Sequence, residues 1–313
     1  MRPYFQGGGR RLSVAEKVYL NGGFVDKDAA TISVFDRGFL LGDALFETMR
    51  AYHGRVFRCE YHIERLRSGG RTLGLPVPET TNLRHAIHET IRVNGLSDAV
   101  VRLTISRGPG PLGIVPSSER PGERPSESPP SPTVVIMAEP LNPWPADYYE
   151  RGAGAIIVSD RRNQMSPLTA VKTTNFAANV LASLQARNEK AVEAIFLNTR
   201  GNVAEGATSN VFVVSGGYVI SPFEEDGLLP GVTRQVVFEL CEKLFIPAVR
   251  KNLAAPELWK ADECFLTGTT KEIMPIVRVD EHRVGSGKPG PVTLKLLEAY
   301  RALVQQELER GGP

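Results

Sequence analysis

Cysteine, tryptophan and long apolar segments are scarce in this chain of 313 residues, which has three cysteines and two tryptophans. Cys59, Cys241 and Cys264 lie far apart in apolar surroundings, so they indicate neither a disulfide framework nor a zinc site. No apolar run approaches the ~20 residues that a membrane-spanning helix needs, and residues 1–12 lack the apolar segment of a signal peptide. We therefore expect a cytoplasmic protein that binds no membrane.

Charge of one sign and clustered metal ligands are also missing. The formal net charge is +2, without an extended basic stripe, which gives no reason to expect nucleic acid as a partner. His85 and His88 share one helix face, but no third ligand stands nearby, so we expect a solvated face and no metal. The glycines of 107–113 are not followed by the Gly-Lys-Ser/Thr of a nucleotide-binding loop. Small-molecule chemistry is the remaining expectation.

Composition divides the chain into segments. Hydrophobic residues make up 42% of the chain, which is enough for two moderate domains. Glycine and arginine predict a flexible N-terminal arm over 1–17, and a stretch rich in proline, serine and charge predicts a disordered insertion over 116–132. We expect a small α+β domain over 18–139, a connector containing prolines over 140–150 and a larger cofactor-binding domain over 151–313.

Turn residues and apolar periodicity predict the elements within these domains, beginning with a hairpin over 18–35. In the helix predicted over 176–190, Val180, Leu181 and Leu184 share one apolar face. This spacing predicts that the face packs in the core. The other predicted helices cover 60–73, 79–94, 233–244 and 292–308, and the predicted strands cover 99–106, 133–138, 155–159, 193–198 and 211–214.

Lys172 and Glu205 have the chemistry that a pyridoxal phosphate site requires. A buried lysine loses its proton more readily and becomes a nucleophile that forms an imine with an aldehyde. An acidic side chain keeps the ring nitrogen of the cofactor protonated, so the ring withdraws electrons from the substrate. Taken alone, a lysine after a valine is more typical of a solvated strand end, and Glu-Gly is more typical of a turn.

Three other segments can form a cup for a phosphate group. Val232 and Thr233 follow Gly231 at the start of a predicted helix, where free backbone N–H groups bind anions. Thr269 follows an apolar run, a pattern that is also typical of an ordinary strand-to-loop turn. Arg65 lies on a predicted helix and can donate two N–H groups to a phosphate, or be a surface charge.

The order of these pieces resembles that of the fold-type IV pyridoxal-phosphate enzymes, from about Val18 to the C-terminal helix. This family includes branched-chain and D-amino-acid aminotransferases, R-selective amine transaminases and aminodeoxychorismate lyases. The resemblance implies a homodimer with a two-domain α/β (α+β) fold, in which a small α+β N-terminal domain precedes a larger, barrel-like C-terminal domain. It implies Lys172 as the Schiff-base lysine, with these further cofactor-binding residues: Arg65, Glu205, Ser209, Leu229, Val232, Thr233 and Thr269.

The resemblance also implies an activity, the transfer of an amino group from an amino acid or primary amine to a 2-oxo acid. The reaction is expected to be ping-pong, with Lys172 as the proton shuttle. Four residues are candidates for binding the substrate carboxylate, although the three arginines are equally typical of surface charges: Arg50, Arg102, Arg107 and Thr270.

Two departures from the family pattern bear on this activity. Phe176 stands where a tyrosine is common, and Val100 replaces a tyrosine of branched-chain members, which weakens that substrate class. One alternative on the same scaffold is aminodeoxychorismate lyase, which eliminates pyruvate. The other is a binding protein that has the fold without the chemistry.

Overall fold

The computed structural model describes residues 16–115 and 131–310. The predicted N-terminal arm and the predicted insertion lie outside the described residues, apart from the last two residues of each. In the part of the chain that is described, no helix is long and apolar enough to cross a membrane.

Six strands from the first part of the chain form an antiparallel sheet: β1 Lys17–Leu20, β2 Gly23–Asp26, β3 Ala44–Tyr52, β4 Arg55–Val56, β5 Ala99–Ser106 and β6 Thr133–Pro140. Their order across the sheet is β2-β1-β6-β5-β3-β4. The β1–β2 hairpin turns at Asn21 and Gly22, which both have positive φ, as a tight two-residue turn requires. The hairpin is shorter than the predicted 18–35, because a 3₁₀ turn at Lys27–Ala29 follows β2.

Three helices accompany this sheet: α1 Arg37–Leu41, α2 Cys59–Leu73 and α3 Thr80–Val93. Ile63 and Leu66 of α2 and Ile87 of α3 are fully buried in one apolar cluster with the sheet residues Met49 and Leu103. The helix α2 ends where Gly74 takes a left-handed conformation, which a residue without Cβ adopts at low cost. This packing fixes the position of the Arg65 backbone between two buried residues.

Nine strands from the second part of the chain form a mixed sheet: β7 Ala153–Arg162, β8 Glu193–Asn198, β9 Val203–Gly206, β10 Asn210–Ser215, β11 Tyr218–Ser221, β12 Ala248–Arg250, β13 Glu263–Gly268, β14 Glu272–Val279 and β15 His282–Arg283. The strand order is β12-β11-β10-β13-β14-β7-β8-β9, and β15 pairs with β14. The helices are α4 Asp147–Glu150, α5 Ala177–Asn188, α6 Val232–Lys243, α7 Ala255–Lys260 and α8 Pro291–Arg310.

The α+β class expected from the sequence is confirmed. The predicted strands over 99–106 and 193–198 have the observed bounds, and the other predicted helices and strands differ from the observed ones at their ends. Strand β3 was not predicted. The two sheets use separate stretches of the chain, whereas the division into two domains with a connector over 140–150 stays a prediction.

The predicted packing of the apolar face of α5 is wrong. Val180, Leu181 and Leu184 are 56%, 63% and 50% exposed. The helix instead turns its smaller side chains toward the sheet, where Ala182 and Ala186 are buried in a cluster with Phe196. Alanines allow a helix backbone to approach a sheet closely, so the bulkier side chains remain on the outer face.

Candidate active site

A cavity of about 820 Å³ lies between the two sheets and is lined from both. We call it the central cavity. Strand β3, helix α2 and strand β5 contribute Phe46, Arg65 and Arg102. The second part of the chain contributes the segment after β7, the β9–β10 turn, the start of α6 and the turn between β13 and β14. Lys172 and Glu205, which are far apart in the sequence, both line this cavity.

The backbone of Lys172 is held against the beginning of β3. The N–H of Phe46 donates to the carbonyl oxygen of Lys172 at 2.9 Å, and the N–H of Thr174 donates to the carbonyl oxygen of Ala44 at 3.0 Å. These two hydrogen bonds fix the backbone on both sides of the lysine. The side chain therefore enters the cavity from a rigid base, which is what a positioned reactive amine needs.

Two phenyl rings surround the Lys172 amine. Its Nζ lies 4.6 Å from the ring centroid of Phe46 and 5.4 Å from that of Phe176. Burial, reinforced by the positive charge of Arg65, lowers the pKa of the Lys172 amine to about 8. Phe176, at the position where a tyrosine is common in the resembling family, contributes an apolar ring here.

Glu205 lies on β9, is 8% exposed and has partners for both carboxylate oxygens. Its Oε2 accepts a hydrogen bond from the N–H of Leu229 at 2.9 Å, and Arg162 Nη2 lies 3.2 Å from its Oε1. Burial raises the pKa of the Glu205 carboxyl, while Arg162 and the Leu229 N–H act against that shift. The geometry suits a carboxylate that faces a cationic ring nitrogen.

The N-terminus of α6 opens onto the same cavity. Helix α6 begins at Val232, so the N–H groups of Val232 and Thr233 belong to its first turn and have no intrahelical acceptor. A Cβ at Gly231 would overlap Oδ1 of Asn210, which explains why glycine precedes the helix. Thr267 Oγ1 also lines this region, is buried and has no hydrogen-bond partner among the described residues. Such groups bind an anion.

Arg65 extends from α2 to this helix start. Its Nη1 donates to the carbonyl oxygen of Pro230 at 3.0 Å. Its Nε and Nη2 donate to the two oxygens of Glu47 at 2.8 and 2.6 Å, and His62 Nδ1 lies 2.7 Å from the same carboxylate. Sequence reasoning gave Glu47 and His62 no role, although the spacing of His62 and Arg65 by three residues on one helix was a signal that both reach one partner.

The remaining predicted cofactor residues also line the central cavity: Ser209, Leu229, Val232, Thr233 and Thr269. Ser209 donates its hydroxyl to Glu193 at 2.7 Å, so this hydroxyl has a protein partner already. Thr270 lies beside Thr269 in the turn between β13 and β14 and lines the cavity too.

Arg102 is the one predicted substrate arginine that lines the cavity. Its guanidinium carbon lies 3.4 Å from the ring centroid of Phe46, and no carboxylate stands within ion-pair distance in the described part of the chain. Burial lowers the pKa of Arg102 to about 10, so the side chain remains cationic near neutral pH.

Arg50 and Arg107 do not line the central cavity, and the structure places both in ion pairs elsewhere. Arg50 Nη1 pairs with Glu272 Oε1 at 2.9 Å and lines a second cavity, near α8. Arg107 pairs with Asp43 at 2.7 Å and donates to the carbonyl oxygens of Leu73 and Gly74. Both guanidinium groups are therefore engaged in holding the fold together.

The groups that line the central cavity match the functional groups of pyridoxal phosphate. The Lys172 amine with its lowered pKa stands at one wall, Glu205 with Leu229 at another, and the α6 start with Arg65 and the unpartnered Thr267 hydroxyl at a third. The cofactor has an aldehyde, a ring nitrogen and a phosphate that need these three kinds of group. The donor set therefore fits the cofactor.

Comparison with known proteins points to the same family that the sequence motifs resemble. Residues 44–279 match the family described as Amino-transferase class IV. A putative branched-chain-amino-acid aminotransferase of Methanocaldococcus jannaschii is 39% identical over 287 residues, covering 91% of this chain and 95% of that protein. The D-alanine aminotransferase of Staphylococcus haemolyticus is 32% identical, covering 92% and 98% of the two chains. The aminodeoxychorismate lyase of Bacillus subtilis is also 32% identical, covering 94% and 97%.

Solved structures agree with the sequence relatives. The crystal structure of the Escherichia coli branched-chain amino acid aminotransferase has a TM-score of 0.84 and 31% identity, and the match covers 92% of this chain and 94% of that chain. The expected fold-type IV architecture is thereby confirmed. The chain belongs to the class IV aminotransferases, and it is an aminotransferase whose cofactor is pyridoxal 5′-phosphate.

Proposed function

We propose that this protein transfers an amino group from an amino acid to a 2-oxo acid by a ping-pong reaction in which Lys172 both holds the cofactor and moves the proton. One observation carries the proposal. The Lys172 amine, with its pKa lowered to about 8, lies in one cavity with the buried Glu205 carboxylate and the N-terminus of α6. An amine poised near neutral pH can act as nucleophile, base and acid in turn.

Each group has a proposed task. Lys172 would hold the cofactor at its aldehyde, and its amine, when free, would accept the proton of the substrate α-carbon and later donate it. Glu205 would keep the ring nitrogen protonated. When bound, pyridoxal phosphate supplies the carbonyl that carries the amino group and a ring that withdraws electrons from the α-carbon.

The phosphate is proposed to lie at the α6 start. Arg65, the N–H groups of Val232 and Thr233, and the hydroxyl of Thr269 would hold it, because they combine a fixed cation with free donors. Leu229 would pack against the ring and Ser209 would line the same wall. A fixed phosphate orients the ring against Lys172, which is a main contribution of the protein to this chemistry.

Arg102 is proposed to bind a carboxylate of the substrate. Its guanidinium carbon and Lys172 Nζ both lie over the Phe46 ring, and no carboxylate among the described residues forms an ion pair with it. A cationic group that has no ion-pair partner in a cavity is stabilised by an anionic ligand. Thr270 lies in the turn at the cavity wall, where its N–H is proposed to reach the same carboxylate.

The assembly is proposed to be a cytoplasmic homodimer. Support comes from apolar side chains that are exposed in the single chain, on α5 at Leu181 and Leu184 and on α1 at Phe39. Contiguous apolar side chains on a surface are typical of contacts between protein chains. The three cysteines are free and buried, which suits a reducing compartment.

The proposal is tested by steady-state kinetics of the protein loaded with its cofactor. L-leucine, L-glutamate or D-alanine serves as donor and a 2-oxo acid that corresponds to none of them serves as acceptor. We expect the 2-oxo acid that corresponds to the donor to be formed. Double-reciprocal plots of rate against donor concentration, at several fixed acceptor concentrations, should give parallel lines. Release of pyruvate from aminodeoxychorismate, with no transfer from any donor, would instead support the lyase, the second function found in this family.

A further inference from the structure

We infer that Glu47 and His62 are positioning residues for the cofactor phosphate, because they fix the Arg65 guanidinium at the start of α6. The inference rests on the proposed role of Arg65 and extends it to two side chains that do not touch the phosphate themselves.

The Arg65 guanidinium is held on three of its five N–H groups. Nε and Nη2 donate to Oε1 and Oε2 of Glu47 at 2.8 and 2.6 Å, and Nη1 donates to the carbonyl oxygen of Pro230 at 3.0 Å. An arginine has five donors in a fixed fork, so two N–H groups remain for a ligand. The directions of these two N–H groups are fixed, because the guanidinium is planar and cannot rotate without breaking its ion pair with Glu47.

Glu47 is the anchor of this arrangement. It lies in β3, is fully buried, and its two oxygens accept from Arg65 and His62 alone among the described side chains. Burial would raise the pKa of the Glu47 carboxyl, but the charge of Arg65 and the hydrogen bond from His62 lower it to about 2. The carboxylate therefore remains ionised near neutral pH, where it keeps its ion pair with Arg65.

His62 fixes the Glu47 carboxylate in turn. It is 2% exposed and stands three residues before Arg65, so one face of α2 presents both side chains to the same acceptor. Burial lowers the pKa of His62, against the effect of its bond to Glu47. A neutral imidazole with its proton on Nδ1 donates to Glu47 Oε2, where Arg65 Nη2 also donates.

The contact with Pro230 joins this cluster to the phosphate site. Pro230 directly precedes Gly231, the residue that caps α6. Arg65 therefore connects strand β3, through Glu47, with the start of helix α6, through Pro230. Without Glu47, the long side chain would regain rotamer freedom, and phosphate binding would have to order it again.

The contribution of the phosphate is measured by comparing the dissociation constants of pyridoxal and pyridoxal phosphate for the protein freed of cofactor. The dissociation constant of pyridoxal divided by that of pyridoxal phosphate, here called the ratio, gives the contribution of the phosphate, because the ring and the aldehyde are common to both ligands. The variants are Glu47→Gln, Arg65→Ala and the double variant. Glu263→Gln is the matched control, since Glu263 is a buried carboxylate that binds the start of α8 and does not line the cavity.

We expect Glu47→Gln to reduce the ratio by about tenfold to a hundredfold, the amount that hydrogen bonds to charged groups contribute. In the Arg65→Ala background, Glu47→Gln should cause no further reduction, and Glu263→Gln should leave the ratio unchanged. An unchanged ratio in Glu47→Gln, or equal losses for both ligands, would overturn the inference. An unchanged ratio in Arg65→Ala would instead refute the proposed role of Arg65 itself.

A second pair of variants keeps the inference testable if Glu47→Gln does not fold. An asparagine amide nitrogen can take the place of Nδ1, so His62→Asn should retain the ratio of the unmodified protein. His62→Leu preserves the buried volume without a donor and should lower the ratio. Equal ratios in both His62 variants would contradict the inference.

Discussion

Arg162 and Glu205 form a partly buried ion pair behind the place proposed for the cofactor ring, with 3.2 Å between Arg162 Nη2 and Glu205 Oε1. The Arg162 guanidinium also lies 4.3 Å from the ring centroid of Phe196, which fixes its position. Burial raises the pKa of Glu205, and Arg162 is the largest influence in the other direction. The arginine therefore helps to keep this carboxylate ionised inside the protein.

Replacing Arg162 tests this relationship. In Arg162→Met the pKa of Glu205 should rise further, so more of the carboxyl is neutral at pH 7. We expect kcat at pH 7 to fall, because Glu205 loses the cation that favours its ionised form. The loss should shrink as the pH rises, because a carboxyl with a raised pKa ionises at higher pH. Arg151→Met, at an exposed ion pair, is the control. Equal kcat at pH 7 for the Arg162 variant and the unmodified protein would contradict the account.

Glu205→Gln removes the charge and keeps the shape. The N–H of Leu229 still has an acceptor, so cofactor binding should survive and remain visible in the absorbance spectrum. We expect kcat to fall by roughly 10²–10⁴, the range for losing a positioned acid–base group. Retention of more than half of the activity would show that the ring nitrogen has no need of this carboxylate.

Lys172→Ala removes the amine that is proposed to bind the cofactor. Circular dichroism should show an intact fold, because the backbone hydrogen bonds of residue 172 do not involve its side chain. The visible absorbance band of the bound cofactor should be lost, and borohydride should no longer fix the cofactor to the protein. Turnover at the rate of the unmodified protein would refute the assignment.

The lowered pKa of Lys172 predicts how cofactor loading depends on pH. Only the neutral amine attacks an aldehyde, and its pKa in the empty cavity is about 8. The rate of loading should therefore rise with pH and level off above a midpoint near 8, as followed by stopped-flow absorbance. A rate that still increases steeply toward pH 10 would mean that the amine titrates like a solvated lysine, whose pKa is near 10.5.

The residues that the sequence motifs assign to the cofactor all line the central cavity, and their role there stays a prediction. Lys172, Glu205 and the α6 start occur in motifs of recognisable order, which is why the sequence could single them out. Strand β3 was missed because most of its residues are buried on both faces, so it lacks the alternation by which a half-buried strand is recognised. Glu47 stands within this strand, and its role was missed with it.

The arginines show why side-chain roles were harder to predict. Arg50 and Arg102 lie within strands β3 and β5, Arg107 directly follows β5, and the roles of all three depend on partners distant in sequence. Glu272, the partner of Arg50, is more than two hundred residues away. The outer face of α5 was misassigned for a related reason, because periodicity identifies an apolar face without showing what covers it.

The ion pairs of Glu272 predict an indirect effect on substrate binding. Glu272 has a left-handed φ of 55°, closes the turn that contains Thr270 and pairs with Arg50 at 2.9 Å and with Arg301 at 2.8 Å. Arg50→Gln should loosen the turn and raise KM for amino acid donors by about threefold to tenfold, with little change in kcat. In Glu272→Gly the backbone strain is relieved but the ion pairs are lost, so KM should rise there as well. An unchanged KM in both variants would mean that the ion pairs do not influence the turn.

Amino-group transfer itself is tested by a half-reaction of the purified protein loaded with pyridoxal phosphate. An L-branched-chain amino acid, D-alanine and R-1-phenylethylamine are added separately, without any acceptor, while the absorbance of the bound cofactor is recorded. If the protein is a transaminase, an amino acid converts the band to that of the aminated cofactor, with one equivalent of 2-oxo acid formed, and a second 2-oxo acid restores the band. A protein that binds the cofactor through Lys172 but converts with none of the three, and that releases pyruvate from aminodeoxychorismate, would contradict the proposed amino-group transfer.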